Sequence, residues 1–293
     1  MSTKKPRYNE IIFSNEEVKK IIDLYKSNIS TVKIGKEFHV SHKTIAKVLE
    51  KNGIPRTGVS RRKYGVNENY FDNIDTANKA YILGFLYADG YNSLCKSTVS
   101  ISLQEEDKYI LEFMKKEMES EKPLEFIDYT DKTDFGYHYK NQYRLVIFNK
   151  HMCARLNELG MTPNKSLTLN FPSIDKSFYS HFIRGYFDGD GSVCFCSTNS
   201  NCIATITSTD IFCNEIKRIL ECELGIHVGI YEASNKNDIT KVASISGKNQ
   251  VKKFGQYIYQ DVDSFLYRKY NKFVEKNIRL NNHLFELTTQ IRI

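Results

Sequence analysis

The N-terminal part of the chain contains three short segments in which apolar residues recur at helical spacing. Ser14 and Glu17 have the spacing of a capping box, which predicts the start of the first helix. The second helix is predicted over 31–38 and the third over 41–51, where Ser41 takes the N-cap position. The residues predicted to face inward are Val18, Ile21, Ile22, Tyr25, Val32, Ile34, Phe38, Ile45, Val48 and Leu49.

Only the short connection 39–41 separates the second and third of these helices. Three short helices joined in this way resemble a helix-turn-helix with its third helix in the recognition position. We therefore interpret residues 1–55 as a DNA-binding domain, and a small helical packing domain is the alternative. The outward residues of the third helix, of types that contact base edges and phosphates in the major groove, are His42, Lys43, Thr44 and Lys47.

Beyond residue 68, apolar and polar residues alternate in short stretches that are separated by helical patterns. In the first half, strands are predicted over 98–103, 124–129 and 143–148, and helices over 106–118 and 150–159. In the second half, strands are predicted over 192–197, 203–208, 228–233 and 242–246, and helices over 211–224 and 250–259. The two halves therefore repeat one order of elements.

An internal duplication accompanies this repeat. Residues 81–90, YILGFLYADG, recur in register as residues 182–191, FIRGYFDGDG, 101 positions later. Each copy reads as an apolar helix that ends at Asp-Gly. Small residues four apart leave one face of each helix nearly bare, and glycine inside a helix is unfavourable unless another backbone comes close. We expect the two helices to pack along this face, formed by Gly84, Ala88, Gly185 and Gly189.

Roughly parallel packing of the two helices brings Asp89 and Asp190 together at one end. Both carboxylates are then at helix C-termini, where the helix dipole disfavours negative charge, and they repel each other. A divalent cation reverses both effects, and hard oxygen ligands suit Mg²⁺ better than zinc or copper. Gly90 and Gly191 suit the left-handed position that ends a helix and exposes the preceding carbonyl. The backbone carbonyls of Ala88 and Gly189 are further candidate metal ligands.

Positive charge is concentrated in the N-terminal fifth of the chain. Residues 1–64 carry 15 Lys and Arg against six acidic residues, whereas residues 65–293 carry 27 basic and 29 acidic residues. This asymmetry favours a polyanionic partner. The stretch 56–68 is basic and lacks periodicity, as in a linker. Its charged residues Arg56, Arg61, Arg62 and Lys63 either follow a phosphate backbone or form a solvated tether.

The composition places the chain among globular proteins of a reducing compartment. The longest apolar run, 80–88, is far shorter than the roughly 20 residues of a membrane helix. The N-terminus lacks the features of a secretory signal, and seven cysteines do not form a disulfide framework. We therefore expect a cytoplasmic protein, or one located with its target DNA, that is neither secreted nor membrane-bound.

The two motifs resemble the paired LAGLIDADG motifs of single-chain homing endonucleases, over residues from about 66 to 280. The resemblance implies an α+β fold with two pseudo-symmetric αββαββα units, 69–170 and 171–293, whose antiparallel sheets form a saddle on the DNA major groove. It also implies that Asp89 and Asp190 bind catalytic divalent metal ions and cut one strand each across the minor groove. Counted along the nine letters of LAGLIDADG, the motifs are residues 82–90 and 183–191. At the sixth of these positions the first motif has Tyr87 and the second has Asp188.

Further candidate active-site and DNA-contacting residues are indicated by their positions in the two repeats and along the predicted strands. Lys165 and Lys269, 104 residues apart, are near-equivalent and resemble the basic active-site residues of the family, although an exposed structural lysine is almost as plausible. Gln104 lies where related enzymes can carry a solvent-ordering polar residue, and Thr209 stands nearby in register in the second unit. Base contacts are expected from outward strand residues such as Ser100, Ser102, Tyr137, Tyr139, Gln142, Arg144, Ser197, Thr205 and Thr207.

These features predict a site-specific double-strand DNA endonuclease that depends on Mg²⁺, with Mn²⁺ as a substitute. Because one chain carries both units, we expect a monomer acting on a long, pseudo-palindromic or asymmetric DNA site, with the N-terminal domain contacting one flank. Two alternatives remain: an RNA maturase that assists intron splicing, and a helix-turn-helix transcriptional regulator with an inactive nuclease domain.

Overall fold

The computed structural model describes residues 13–27, 29–54, 64–130, 133–134, 137–195, 202–233, 240–260 and 262–274. The chain divides into two compact units, residues 1–63 and 64–293. Across the described ranges, every helix is too short or too polar to cross a lipid bilayer. The basic residues predicted as a linker, Arg56, Arg61, Arg62 and Lys63, lie outside the described residues, as do Tyr137's side chain and Ser197.

The N-terminal unit consists of three helices, α1 (Asn15–Lys26), α2 (Thr31–Glu37) and α3 (His42–Lys51). The capping box is confirmed: the Ser14 amide donates to Glu17 Oε2 at 2.8 Å, and the Glu17 amide donates to Ser14 Oγ at 3.3 Å. Ser41 caps α3 through the amide of Thr44 at 3.2 Å. Serine side chains therefore satisfy amides that the first turn of these helices leaves free.

The core of this unit is formed by Ile21, Ile34, Ile45 and Leu49, all with no exposed surface. The predicted inward position of Val32 is wrong, since this side chain is 52% exposed. In a seven-residue helix only one narrow face meets its neighbours. A residue two positions before Ile34 points to the opposite side.

The connection between α2 and α3 depends on Gly35. A Cβ on this residue would lie 2.7 Å from the carbonyl oxygen of Val40, and the Val40 amide donates to the Gly35 carbonyl at 2.8 Å. His39 has a left-handed backbone, with a φ of 52°. The chain therefore turns back against α2 before α3 begins.

The larger unit repeats the order αββαββα, which confirms the predicted fold class. Its first half contains α4 (Ala77–Asp89), β1 (Tyr91–Ser93), β2 (Thr98–Gln104), α5 (Lys108–Glu117), β3 (Glu125–Ile127), the short strands β4 (Thr133–Asp134) and β5 (Tyr137–His138), β6 (Gln142–Phe148) and α6 (Lys150–Glu158). Its second half contains α7 (Tyr179–Asp190), β7 (Ser192–Phe195), β8 (Cys202–Thr209), α8 (Asp210–Leu224), β9 (Gly229–Glu232), β10 (Thr240–Ser246) and α9 (Lys248–Tyr259), followed by α10 (Tyr267–Val274).

The sequence patterns missed the short strands β1, β4 and β5 and helix α10. Strand β1 has only three residues, too few for alternation to show. Helix α10 has eight residues, and four of them are Arg, Lys or Asn, so its apolar face is short. The tertiary structure buries Tyr270 and Phe273 on that face.

Each half contains a four-stranded antiparallel sheet, with orders β1-β2-β6-β3 and β7-β8-β10-β9. In β2, the buried positions Val99, Ile101 and Leu103 alternate with half-exposed polar positions. In β8, Ala204 and Ile206 are buried and Thr207 is exposed. Because directly paired residues share a face, each sheet has one core face and one polar outer face.

Helices α4 and α7 pack in parallel through the centre of the unit. A Cβ on Gly84 would lie 2.1 Å from the carbonyl oxygen of Phe182, and a Cβ on Gly185 would lie 2.0 Å from that of Tyr81. Phe182 and Tyr81 are themselves equivalent residues of the two motifs. The predicted helix interface through the small residues is therefore confirmed, and it is pseudo-symmetric.

The left-handed conformation expected of the glycines after these helices is wrong. Gly90 has φ −77° and ψ 152°, and Gly191 has φ −73° and ψ 158°, which is extended backbone. Close approach explains glycine here instead. A Cβ on Gly90 would lie 2.5 Å from the Leu86 carbonyl oxygen, and one on Gly191 would lie 2.2 Å from the Phe187 ring.

Candidate active site

The parallel packing of α4 and α7 places their C-terminal acids at the same end of the helix pair. The Cβ position of Gly189 lies 2.3 Å from the Ala88 Cβ and 3.0 Å from Asp89 Oδ2. The Asp89 carboxylate therefore reaches across to the last turn of α7, directly before Asp190. The sequence prediction that the two carboxylates meet depended on this parallel arrangement.

Burial raises the pKa of both carboxyl groups. Burial and, next, the charge of Asp190 raise the pKa of Asp89 to about 6, against the opposing effects of Lys269, Lys165 and Arg268. Burial also raises the pKa of Asp190, and Lys165 and Lys269 oppose it. The folded protein thus holds two carboxylates whose negative charge is poorly compensated by protein groups.

Two lysines contact the last turns of the paired helices in equivalent ways. Lys165 Nζ donates to the Ala88 carbonyl at 2.7 Å. Lys269 Nζ donates to the carbonyls of Phe187 at 2.7 Å and Gly189 at 2.6 Å. Ala88 and Gly189 occupy the same motif position, so each lysine faces the residue before a C-terminal acid, where a cation also interacts favourably with the helix dipole.

The lysines are more buried than surface lysines usually are. Lys269 is only 6% exposed, and burial lowers its pKa to about 8, against the raising effect of Asp188 and other charges. Burial likewise lowers the pKa of Lys165, which is partly exposed. Lys269 is therefore not an exposed lysine, whereas Lys165 is partly exposed, and a catalytic function of either stays a prediction.

The donor set at the helix ends suits a hard divalent cation. It comprises the carboxylates of Asp89 and Asp190 and the carbonyls of Ala88 and Gly189, which accept hydrogen bonds from the lysines. Among the described residues, no cluster of three or more His, Cys, Asp or Glu side chains could hold a metal ion. A cation here would complete its coordination with oxygens from outside the protein, as Mg²⁺ commonly does with water and phosphate.

Gln104 is at the predicted strand-to-helix junction, at the end of β2. It lines a surface pocket together with Glu105, Glu106, Thr130, Tyr139, Lys140 and Asn141. Ser100 lies four residues before Gln104 in the same strand. It pairs with Tyr91, which follows the last residue of α4 by two positions. In the second half Thr209 has a structural function, because its hydroxyl caps α8 through the Phe212 amide at 3.2 Å. A catalytic function of Gln104 stays a prediction.

Several predicted DNA-contacting residues lie on the outer faces of the sheets. Arg144 pairs with Ser102 across β6 and β2, and its Nε donates to Ser102 Oγ at 2.9 Å. Gln142 pairs with Gln104, and Tyr139 precedes β6 and is half-buried. Thr205 and Thr207 occupy the corresponding positions of β8.

In the N-terminal unit, the predicted recognition residues line the start of α3. His42, Lys43 and Lys47 are exposed. Thr44 is half-buried, and its hydroxyl lies 2.9 Å from Ser41 Oγ. Three of these four side chains are therefore available to a ligand of this unit.

A buried network around Asp188 was not recognised from sequence. Asp188 has no exposed surface and accepts hydrogen bonds from the Tyr81 hydroxyl at 2.9 Å, the Tyr259 hydroxyl at 2.6 Å and the Leu266 amide at 2.8 Å. Arg184, 1% exposed, lies with its guanidinium carbon 4.7 Å from the Tyr81 ring centroid. The signal in the sequence was an acid at the sixth motif position, in the last turn of a helix whose preceding residues are mostly apolar.

Comparison with known proteins gives one family match and several similar folds. Residues 177–259 match the model of the LAGLIDADG-like domain. The structure of the homing endonuclease I-WcaI bound to its DNA recognition sequence is 11% identical, covers 69% of this chain and 91% of its own, and has a TM-score of 0.50. Among curated proteins, none matches this chain.

Two further solved structures are similar at lower scores. The N-terminal LAGLIDADG domain of DUF199/WhiA is 17% identical over 74% of this chain and 90% of its own, with a TM-score of 0.42. The I-LtrWI LAGLIDADG homing endonuclease bound to target DNA is 13% identical over 77% of this chain and 97% of its own, also with a TM-score of 0.42. The segment 177–259, which contains α7 with Asp190, is therefore similar to the LAGLIDADG-like domain, and the larger unit shares its fold with the I-WcaI homing endonuclease.

Proposed function

We propose that this protein is a divalent-metal-dependent endonuclease that cuts both strands of double-stranded DNA at a long specific site. The observation that carries the proposal is the duplicated set of one acid, one carbonyl and one lysine at the shared end of α4 and α7. Two such sets related by pseudo-symmetry match the two phosphodiester bonds of a duplex. A single chain therefore suffices, and we propose that it acts as a monomer.

Asp89 and Asp190, with the carbonyls of Ala88 and Gly189, would hold the metal ions. Bound Mg²⁺ or Mn²⁺ would act as a Lewis acid and lower the pKa of a water nucleophile. Lys165 and Lys269 lie beside the same helix ends and would stabilise negative charge on the attacked phosphate. Each half of the site thus has the groups needed for one strand.

The outer faces of the two sheets would bind the DNA. An antiparallel ribbon fits the roughly 12 Å wide major groove, and polar residues at alternate positions then face the base edges. In the first sheet these positions include Ser100, Ser102 and Arg144, and in the second they include Thr205 and Thr207. The I-WcaI structure, which shares the fold, contains its DNA recognition sequence.

The test uses a plasmid that carries the two DNA segments that flank this gene, joined directly to each other without the gene between them. The wild-type protein is expected to linearise this plasmid with Mg²⁺ or Mn²⁺ and to leave it intact with EDTA. A plasmid with the same sequence scrambled is the control. Tight binding without cutting in either metal would contradict the nuclease and favour a transcriptional regulator; binding only to intron RNA would favour a maturase.

The N-terminal unit is proposed to bind a flank of the DNA site through α3. Replacing Lys43 and Lys47 by Gln is expected to weaken binding at every salt concentration and to reduce the slope of log K against log salt by about one for each lost phosphate contact. Lys19→Gln on α1, also an exposed lysine, is the matched control. An unchanged slope in the double variant, measured by fluorescence anisotropy, would exclude α3 from the interface.

A further inference from the structure

The sixth residue of each motif anchors a segment of chain that leads to an active-site lysine. In the first motif the Tyr87 hydroxyl donates to the Leu159 carbonyl, and Leu159 is six residues before Lys165. In the second motif the Asp188 carboxylate accepts from the Leu266 amide at 2.8 Å, and Leu266 is three residues before Lys269. Both anchored residues therefore precede an active-site lysine in the chain, one by six residues and the other by three.

The first anchor lies where α6 ends and the chain turns toward Lys165. Leu159 follows the last residue of α6, and Gly160 has a φ of 105°. A Cβ on Gly160 would lie 2.5 Å from the Tyr87 hydroxyl, so the turn rests directly on this side chain. The segment continues to Lys165, which contacts the Ala88 carbonyl one residue after Tyr87. Tyr87 and Lys165 thus hold the same segment at its two ends.

The second anchor lies at the start of α10. Leu266 immediately precedes this helix, and the amides of Lys269 and Tyr270 donate to its carbonyl at 3.0 Å each. Lys269 is therefore one turn beyond the residue that Asp188 holds. It reaches the Gly189 carbonyl, one residue after Asp188.

Helix α10 also packs through the buried rings of Tyr270 and Phe273, and its exposed side makes further polar contacts. Arg268 Nε donates to Asp107 Oδ2 at 3.0 Å, and the Tyr267 amide donates to the Tyr109 hydroxyl at 2.6 Å. The Arg268 side chain is 47% exposed and the Asp107 side chain is 4% exposed, so solvent screens this ion pair from the arginine side. The Asp188 hydrogen bond to Leu266 is buried and is stronger for that reason.

The chemical difference between Tyr87 and Asp188 follows from what each must hold. A helix end presents free carbonyls and needs a donor, which the tyrosine hydroxyl supplies. A helix start presents free amides and needs an acceptor, which the carboxylate supplies. The sixth motif residue thus holds a backbone group in both halves, as a hydrogen-bond donor in the first motif and as an acceptor in the second.

We propose that Tyr87 and Asp188 are positioning residues, each of which holds one active-site lysine in place and thereby sets the cleavage rate of one DNA strand. This inference rests on the proposed endonuclease function. It assigns Tyr87 to Lys165 and Asp188 to Lys269. Loss of either anchor is expected to unbalance the two strand cuts.

Strand-specific cleavage of a duplex carrying a different label on each strand tests the proposal. Tyr87→Phe removes one hydroxyl and is expected to slow cutting of one strand by about tenfold, since small displacements of a catalytic group are costly. Asp188→Ala is expected to slow the other strand by a similar factor. Tyr70→Phe is the matched control, because it removes a partly buried hydroxyl that donates to Glu117 Oε2 at 3.2 Å, an acceptor in neither lysine segment.

Asp188→Asn keeps the test valid if Asp188→Ala does not fold. An amide oxygen in place of Oδ2 still accepts from Leu266 and Tyr81, while its nitrogen faces the Tyr259 oxygen. This conservative variant is therefore expected to keep the two strand rates within about twofold of their wild-type ratio.

Amide hydrogen exchange without DNA or metal supplies a readout independent of activity. Tyr87→Phe is expected to speed exchange in 159–165 and to leave 266–270 unchanged, and Asp188→Ala is expected to do the reverse.

The outcomes separate this inference from the proposed function. Opposite strand biases with the matching exchange pattern support the inference. Equal loss on both strands, the same strand slowed by both variants, or no change in exchange would overturn it. If the wild-type protein does not cut, the proposed function fails, and the exchange data alone decide whether the two anchors hold the lysine segments.

Discussion

Asp89→Asn and Asp190→Asn are each expected to turn a double-strand cutter into a nicking enzyme. Each variant loses the charged ligand of one half-site and should slow the cut of one strand by about a hundredfold or more, since even loss of a residue that only supports a metal ligand costs 10–100-fold. The measurement is the ratio of nicked to linear plasmid over time in Mg²⁺. Retained linearisation by either single variant would refute the assignment of one acid to each strand.

The same Asp89→Asn substitution is expected to stabilise the metal-free protein. The folded state raises the pKa of Asp89 from 3.8 to about 6, so its ionised form is less favourable in the folded than in the unfolded chain. Because Asp89 is partly exposed and solvent screens its charge, we expect this cost to be on the order of 1 kcal/mol at pH 7. The sign follows from linkage: this cost is present above the folded pKa and is absent below the unfolded pKa.

Urea unfolding in EDTA at pH 7 and below about pH 3 measures this effect. The gain in the free energy of unfolding should appear at pH 7 and vanish at the lower pH, where Asp89 is protonated in both states. Asp75→Asn is the control, because its exposed carboxylate has a pKa lowered by Lys79 and should give no gain. A loss of stability at pH 7 for Asp89→Asn would show that the carboxylate contributes favourably to the folded state.

Gly185→Ala and Gly84→Ala are expected to destabilise the larger unit by about 3 kcal/mol or more each. The added Cβ atoms would lie 2.0 and 2.1 Å from backbone carbonyl oxygens of the partner helix, and backbone moves less readily than a side chain. Overpacking of this kind typically costs 1–3 kcal/mol, and occasionally more. The helices must separate, which also moves Asp89 away from Asp190 and should reduce DNA cutting.

The direction of the stability change distinguishes close helix packing from free space at these glycines. At a helical position with free space, Gly→Ala stabilises by about 1 kcal/mol through helix propensity. Thermal or urea unfolding of the purified variants gives the measurement. A neutral or stabilising result would mean that α4 and α7 are not in backbone contact at these glycines.

The repeated unit, the helix pair and the two faces of the sheets were predictable because short-range sequence patterns indicate them. The repeat of 101 residues, with small residues four apart in each copy, indicates two equivalent helices that must approach closely. The strict alternation in β2 separates core from outer positions. Such signals depend on neighbours in the chain, which one sequence is enough to reveal.

Other features depended on residues far apart in the chain. Leu266 is 78 positions from Asp188, and Leu159 is 72 positions from Tyr87. The sequence showed only that the sixth motif position differs between the copies. It could not show that both side chains hold segments leading to lysines, because a hydrogen bond between distant segments leaves no periodic pattern.

By itself the sequence determined the duplicated unit, the helix interface and the identity of the paired acids, because side-chain size, periodicity and charge are local properties. Only the tertiary structure decided the extended backbone of Gly90 and Gly191, the burial of Lys269 and the contacts of Asp188. Each of these results from the packing of segments distant in sequence, where the available space and the nearest polar partner are set by the whole fold.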